Sequence, residues 1–205
     1  MQKTNSEDKK MLLIGITGGI GSGKSHISRF IKTLDFPVYD SDTRAKQLVQ
    51  RQDLKRQIQG IFGEKAYINN NYNSKYIASV VFNNEELLNE LNQIIHPEVQ
   101  KDFHTFVHVK QRDGASAIFK ESALLVETGV YRNLDKLLLV TAPKEVRKKR
   151  VLRRKGMNEA KFEAIVSKQA DDKLKAQFAD FILSNDETHP FLPELLKFLN
   201  ELNTN

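Results

Sequence analysis

The chain has 205 residues, with 32 Lys and Arg against 26 Asp and Glu, and a formal net charge of +6. That length suits one α/β domain with small insertions, and the positive balance favours anionic partners such as nucleotides, nucleic acid or phosphorylated metabolites without choosing among them. The absence of cysteine excludes disulfides, zinc–thiolate sites and thiol nucleophiles.

Residues 1–10 are polar and charged and read as a disordered tail. The apolar run 11–16 is too short for the core of a leader peptide. No later apolar stretch approaches the roughly twenty residues that span a bilayer, so a cytoplasmic location is expected. Residues 12–17 form a short β-branched apolar run bounded by glycine, the pattern of a buried parallel strand. Ile27, Phe30, Ile31 and Leu34 then recur at helical spacing over 24–34. A second strand is expected at 38–40 and a helix over 43–59, with an Asn-rich loop at 69–73. Residues 85–112 look helical, interrupted at Pro97.

Strands are expected at 116–119 and 137–140. Pro143 suits the first position of a helix running to about Lys155, where Gly156 ends it, and another helix begins near Asn158. The last strand is 181–183 and the last helix 191–202. Strands alternating with helices argue for an α/β fold with a parallel sheet covered on both faces.

Gly18-x-x-x-x-Gly23-Lys24-Ser25 is a complete P-loop pattern, with a strand before it and an amphipathic helix after it. Gly18, Gly19, Gly21 and Gly23 let backbone N–H groups turn inward onto phosphate, and the helix N-terminus adds partial positive charge. Lys24 can reach β- and γ-phosphates, and the Ser25 hydroxyl can ligate Mg²⁺. The loop indicates a nucleoside triphosphate site but not which of the P-loop activities uses it.

Tyr39-Asp40-Ser41-Asp42 follows the second strand, where a carboxylate can accept a proton or support a metal, and where Ser41 or Asp42 can equally cap the next helix. The run KEVRKKRVLRRK, 144–155, repeats Arg147, Arg150 and Arg154 at helical spacing. It reads as a solvated face, a nucleic-acid surface or a lid over a transferring phosphoryl group, and beside a P-loop the lid is favoured. His104 and His108 lack an acidic companion of the zinc-protease type and read as an ordinary helix pair. His96-Pro97 can present an imidazole to an anion or simply turn the chain. No Asn-Lys-x-Asp guanine signature and no aromatic–basic interleaving occurs, which disfavours a GTPase switch and a nucleic-acid-dependent ATPase.

Six segments together resemble the dephospho-CoA kinase family: TGGIGSGKS (17–25), VYDSD (38–42), LNQIIHP (91–97), SALLVE (122–127), the basic run through Arg150 and Arg154, and QADDKLKAQFADFILSN (169–185). The resemblance implies a P-loop nucleotide-kinase-like three-layer fold with a helical substrate domain and a lid. The implied core is 11–41, 113–150 and 176–205, the substrate-binding insertion 42–112 and the lid 150–165. It implies phosphoryl transfer from ATP, with Mg²⁺, to dephospho-CoA, with no nucleic-acid or membrane partner; it leaves the oligomeric state open.

By the same resemblance Asp42, Lys24 and Arg150 are catalytic, Asp42 as general base. Thr17, Gly18, Gly19, Ile20, Gly21, Ser22, Gly23, Lys24, Ser25, His26, Arg150, Arg154 and Asn185 bind nucleotide, with Asn185 beside adenine and Ser25 on the metal. Asp40, Asp42, His96, Leu124, Leu125 and Glu127 hold the acceptor. Ala123 stands where the family usually has Pro, which is expected to loosen that turn. His26 replaces a common Thr and is expected to point into the helix start with little effect.

Overall fold

A computed structural model describes residues 10–82 and 84–204; all but the last residue of the expected disordered tail, 1–10, lies outside them. The strands are β1 (Leu12–Thr17), β2 (Val38–Asp40), β3 (Tyr67–Ile68), β4 (Asn71–Tyr72), β5 (Ala117–Glu121), β6 (Lys136–Thr141) and β7 (Phe181–Ser184). The helices are α1 (Lys24–Thr33), α2 (Ser41–Leu48), α3 (Gln52–Phe62), α4 (Ser74–Val81), α5 (Glu85–Arg112), α6 (Lys144–Leu152), α7 (Glu159–Val166), α8 (Asp172–Ala176) and α9 (Leu192–Thr204). The chain divides into two compact units, one formed by the chain up to Val38 together with the chain from Lys110, the other by Tyr39–Val109.

A five-stranded sheet has the order β2-β5-β1-β6-β7. β1 pairs in parallel with β5 on one side and β6 on the other, and β6 pairs in parallel with β7. One face of these strands, through Ile14, Ile16, Phe119, Leu138, Val140 and Leu183, packs against Ile27 and Ile31 of α1 and Leu195, Phe198, Leu199 and Leu202 of α9. On the other face Gly15 has no room for a side chain: a Cβ there would stand 2.7 Å from Leu137 and 2.9 Å from Leu125. The central strand therefore packs closely on both faces, and the phosphate loop grows from its carboxyl end.

The second unit has its own core of Val49, Ile58, Phe62, Ala66, Tyr67, Ile77 and Leu91. The Asn-rich stretch is the tip of the β3–β4 hairpin, where Asn69 and Asn70 take φ of 48° and 65°. Two consecutive left-handed residues are what a tight two-residue hairpin turn requires, and Asn tolerates them.

Several sequence expectations are corrected. The helix expected over 43–59 is two helices, because the Tyr67 hydroxyl donates to the Val49 carbonyl at 2.5 Å and Arg51 leaves helical geometry to engage Asp53 and Glu98. Pro97 does not interrupt α5, which runs through it. An interior proline costs about 3 kcal/mol, and buried Leu91 and Phe103 on either side anchor the helix against that cost. Pro143 is the residue before α6 rather than its first, and α6 ends at Leu152, short of Lys155. β5 and β7 each extend past their expected ends, to Glu121 and Ser184. No helix among the described residues is long and apolar enough to cross a membrane.

Candidate active site

The phosphate loop is held by its own backbone and by neighbouring side chains. Ser22 N–H donates to the Gly19 carbonyl at 3.1 Å, and Lys24 Nζ donates to the carbonyls of Gly18 and Gly19 at 2.7 and 3.2 Å. Gly23 caps α1 with φ of 102°, a left-handed geometry that a side chain resists, and no side chain fills that cap. Asn185, at the end of β7, donates from Nδ2 to the Ser22 carbonyl at 2.7 Å. A Cβ on Gly23 would meet that same nitrogen at 2.0 Å. At Gly19 the obstacle is Arg147, whose guanidinium Nη1 would lie 1.8 Å from a Cβ.

Arg150 spans the loop: Nη1 donates to Gly21 and Ser22 carbonyls at 3.3 Å each, Nη2 donates to the Asn185 carbonyl at 2.9 Å, and Nε pairs with Glu187 at 2.9 Å. Arg154 is exposed. Arg147, which the sequence shows only as part of the basic repeat, is the most buried of the three, with its side chain 12% exposed and Asp172 at 3.7 Å. The basic helix is thus laid on the loop through Arg147 and Arg150. Its outer lysines tie it to α7 through the pairs Lys144–Glu163 and Lys148–Glu159.

Ser25 Oγ donates to Glu121 Oε1 at 2.7 Å. Glu121 is buried at the end of β5, paired in register with Ile16 of β1. The sequence hid it, because a strand expected to stop at Phe119 leaves Lys120-Glu121 in a loop. Lys120 is also buried, and burial pushes its pKa down to about 8. Two hard oxygens side by side at the loop's root fit a hard divalent cation, which needs only one or two protein oxygens beside phosphate. No group of three or more His, Cys, Asp or Glu that could hold a metal occurs among the described residues.

Thr17 is buried, and its hydroxyl lies 3.5 Å from the Ala123 carbonyl. Lys175 Nζ donates to that same carbonyl at 3.1 Å, so the turn lacking the family's proline is pinned from two sides. Leu125 is fully buried against the sheet and Leu124 is 38% exposed. Glu127 is turned to Lys175, 3.0 Å away, and accepts from Ala170 N–H at 2.9 Å. Ile20 N–H donates to Gln169 at 2.8 Å. The His26 ring packs edge-on to Phe191 at 5.3 Å rather than along the helix axis, while the His26 backbone N–H donates to the Gly23 carbonyl.

In the second unit Asp40, not Ser41 or Asp42, caps α2, accepting from Thr43 N–H at 3.0 Å and from its hydroxyl at 2.6 Å. Asp42 stands exposed in the first turn of α2. The end of β2 is fixed by an unforeseen cluster. Tyr39 hydroxyl donates to Asp102 at 2.7 Å, Arg44 grips Asp102 with two nitrogens at 2.7 and 2.5 Å, and Tyr39 stacks edge-on with Phe103 and Phe106. Arg44 holds the Asp102 carboxyl below its usual pKa, and burial together with Asp102 raises that of Tyr39. His96 lies on the continuous α5; though exposed at its surface, it is desolvated enough for its pKa to fall below the ordinary value. His104 is exposed and bonded to Gln100, and His108 is exposed.

The profile of the Dephospho-CoA kinase family matches residues 12–190. A Dephospho-CoA kinase of Porphyromonas gingivalis is 36% identical over 95% of this chain and 96% of its own length. The solved structure of TT1252 from Thermus thermophilus is 31% identical and superposes with a TM-score of 0.82, covering 94% of this chain and 98% of its own. A Dephospho-CoA kinase from Campylobacter jejuni, 26% identical, gives a TM-score of 0.69 over 93% and 96% of the two chains. The parallel sheet and its phosphate loop are accordingly those of the P-loop kinase fold. Matched from β1 to beyond β7 in sequence and in backbone, the chain belongs to the dephospho-CoA kinase family.

Proposed function

We propose that the protein transfers the γ-phosphoryl group of ATP to the ribose 3′-hydroxyl of dephospho-CoA, giving CoA and ADP. The observation that carries this reading is the intact phosphate loop with Ser25 bonded to Glu121 at its root, in a chain whose family is defined by that reaction. The reaction draws on cellular ATP, which supports the expected cytoplasmic location.

The residues divide the work. Loop N–H groups and Lys24 bind the phosphates, with Lys24 leaving the Gly18 and Gly19 carbonyls to do so. Ser25 and Glu121 would hold Mg²⁺, which when bound neutralises charge on the β- and γ-phosphates. Asn185 and Arg150 keep the loop's shape, and Arg150 and Arg154 add positive charge toward the nucleotide. Asp42 takes the proton of the 3′-hydroxyl as its oxygen bonds to phosphorus; the bond from phosphorus to the β,γ-bridging oxygen breaks, and ADP leaves with that electron pair. Asp40 supports this by fixing the first turn of α2. Residues 39–109 and the 122–127 turn, with His96, Leu124 and Glu127, serve the acceptor, whereas Leu125 acts from the core.

The test is ADP formation by purified protein with and without dephospho-CoA. Strong dependence on dephospho-CoA, with CoA as product, is expected. Slow hydrolysis indifferent to it sinks the acceptor assignment while leaving the nucleotide site standing.

A further inference from the structure

Seven consecutive residues, 169–175, reach three separate parts of the unit that carries the phosphate loop. Gln169 Oε1 accepts from Ile20 N–H at the loop's tip, at 2.8 Å. Ala170 N–H donates to Glu127 at 2.9 Å. Asp171 caps α8 by accepting from Leu174 N–H, which fixes the direction of the helix that follows. Asp172 faces Arg147 across 3.7 Å. Lys175, wholly buried, pairs with Glu127 at 3.0 Å and donates to the Ala123 carbonyl at 3.1 Å.

A lysine with no exposed surface is costly, and a buried ion pair is seldom the most stable filling of its space: two apolar residues often do as well or better. What the pair supplies here is placement. Glu127 Oε1 receives both Lys175 and Ala170 N–H, and the Ala123 carbonyl receives Lys175 beside Thr17. Both ends of the Ala123–Glu127 turn are therefore set from one short segment. The other end of that segment satisfies an amide of the phosphate loop.

We propose that residues 169–175 act as a brace in which Gln169 positions the tip of the phosphate loop and Lys175, acting through Glu127 and Ala123 rather than on substrate, positions the acceptor turn. This rests on the reading that the 122–127 turn serves dephospho-CoA. Glu127 is then a positioning residue too, its carboxylate already committed to Lys175 and Ala170.

The experiment measures steady-state constants for Lys175→Met, Glu127→Gln and the pair combined, with ATP affinity of Gln169→Leu measured by calorimetry in the absence of acceptor. Each single variant at the pair is expected to raise KM for dephospho-CoA about tenfold with kcat changed less than about threefold, and the double variant to be no worse than the worse single, because residues acting as one unit are not additive. Gln169→Leu is expected to weaken ATP binding about tenfold, the loss of one hydrogen bond. If the two effects at the pair multiply, Glu127 meets the acceptor by itself and Lys175 does not act through it, which overturns the proposal. Unchanged acceptor KM in folded Lys175→Met, or unchanged ATP affinity in Gln169→Leu, overturns it as well.

Should Lys175→Met fail to fold, Lys175→Gln keeps a donor for Ala123 while losing the charge, and the same non-additivity with Glu127→Gln is expected. The wild type assayed alongside separates the two ideas: no CoA from wild type sinks the functional reading, while the calorimetric arm still tests Gln169.

Discussion

Glu121 Oε1 lies 2.7 Å from Ser25 Oγ, which places a buried carboxylate against the hydroxyl that the P-loop pattern reserves for the metal. Glu121→Gln keeps an oxygen to accept that hydrogen bond and removes the charge. Turnover is expected to fall on the order of 10²-fold, the scale for losing one electrostatic stabiliser. The Mg²⁺ concentration giving half-maximal rate is expected to rise, with thermal unfolding near that of wild type. A Mg²⁺ titration of ADP formation decides it: an unchanged midpoint removes Glu121 from the metal site.

Asp40 and Asp42 are two residues apart and have separable tasks. Asp40→Ala loses the α2 cap and is expected to cost about 1 kcal/mol of stability in urea unfolding. Exposed Asp42→Asn is expected to change stability by less than about 0.5 kcal/mol. Its turnover is expected to drop about 10²- to 10⁴-fold, the span of general-base contributions, with ATP affinity retained. Wild-type turnover in Asp42→Asn would remove it as the base.

Asp102 is gripped by Arg44 and Tyr39, and its pKa is held below 3.8 chiefly by the Arg44 hydrogen bonds. Asp102→Asn is expected to cost about 1–2 kcal/mol, since it weakens charge-assisted bonds in a cluster whose Arg44 side chain is partly solvent-exposed. Because the folded pKa lies below the unfolded one, the unfolded chain binds more protons between them, and stability rises with pH across that window. The advantage of wild type over the variant is expected in full above the ordinary carboxylate pKa of 3.8 and to fade as pH falls through the folded value. A pH-independent difference would show that the charge plays no part.

Lys120 titrates near 8 when folded and at 10.5 as an ordinary lysine. Here too the unfolded chain binds more protons between the two values, so stability rises with pH from about 8 to about 10.5. Relative to Lys120→Met, wild type is expected to gain up to about 3 kcal/mol over that range, from the pKa difference at 1.36 kcal/mol per unit. Parallel unfolding curves for the two proteins at all pH values would show that Lys120 keeps its ordinary pKa in the fold.

The parts of the site that could be read from sequence are those written contiguously. The phosphate loop is a run of neighbours whose spacing carries the chemistry, and its strand and helix are local patterns. Glu121 was not legible because the strand was expected to stop at Phe119, and because its partner Ser25 lies far away in sequence. The break after α2 was missed for a like reason: the group that takes the Val49 carbonyl is the hydroxyl of Tyr67, and no glycine or proline marks the place. At Pro97 a sound local rule lost to packing on either side of it. Arg147 was visible in the helical repeat, but only contact with Gly19 distinguishes it from its neighbours. The cap on α2 falls one or two residues before the expected Ser41 or Asp42 because Asp40, still in strand geometry, already reaches Thr43.

β1 is the middle strand, bonded on both sides, with a core beneath and Gly15 leaving no gap above. Backbone amides in such a strand exchange with solvent only when the whole unit opens, whereas amides near exposed ends exchange through small local fluctuations. The loop that must wrap a phosphate therefore issues from a strand whose amides are expected to exchange slowly. Its glycines provide the bend, and the strand beneath keeps the bend at one address through every turnover.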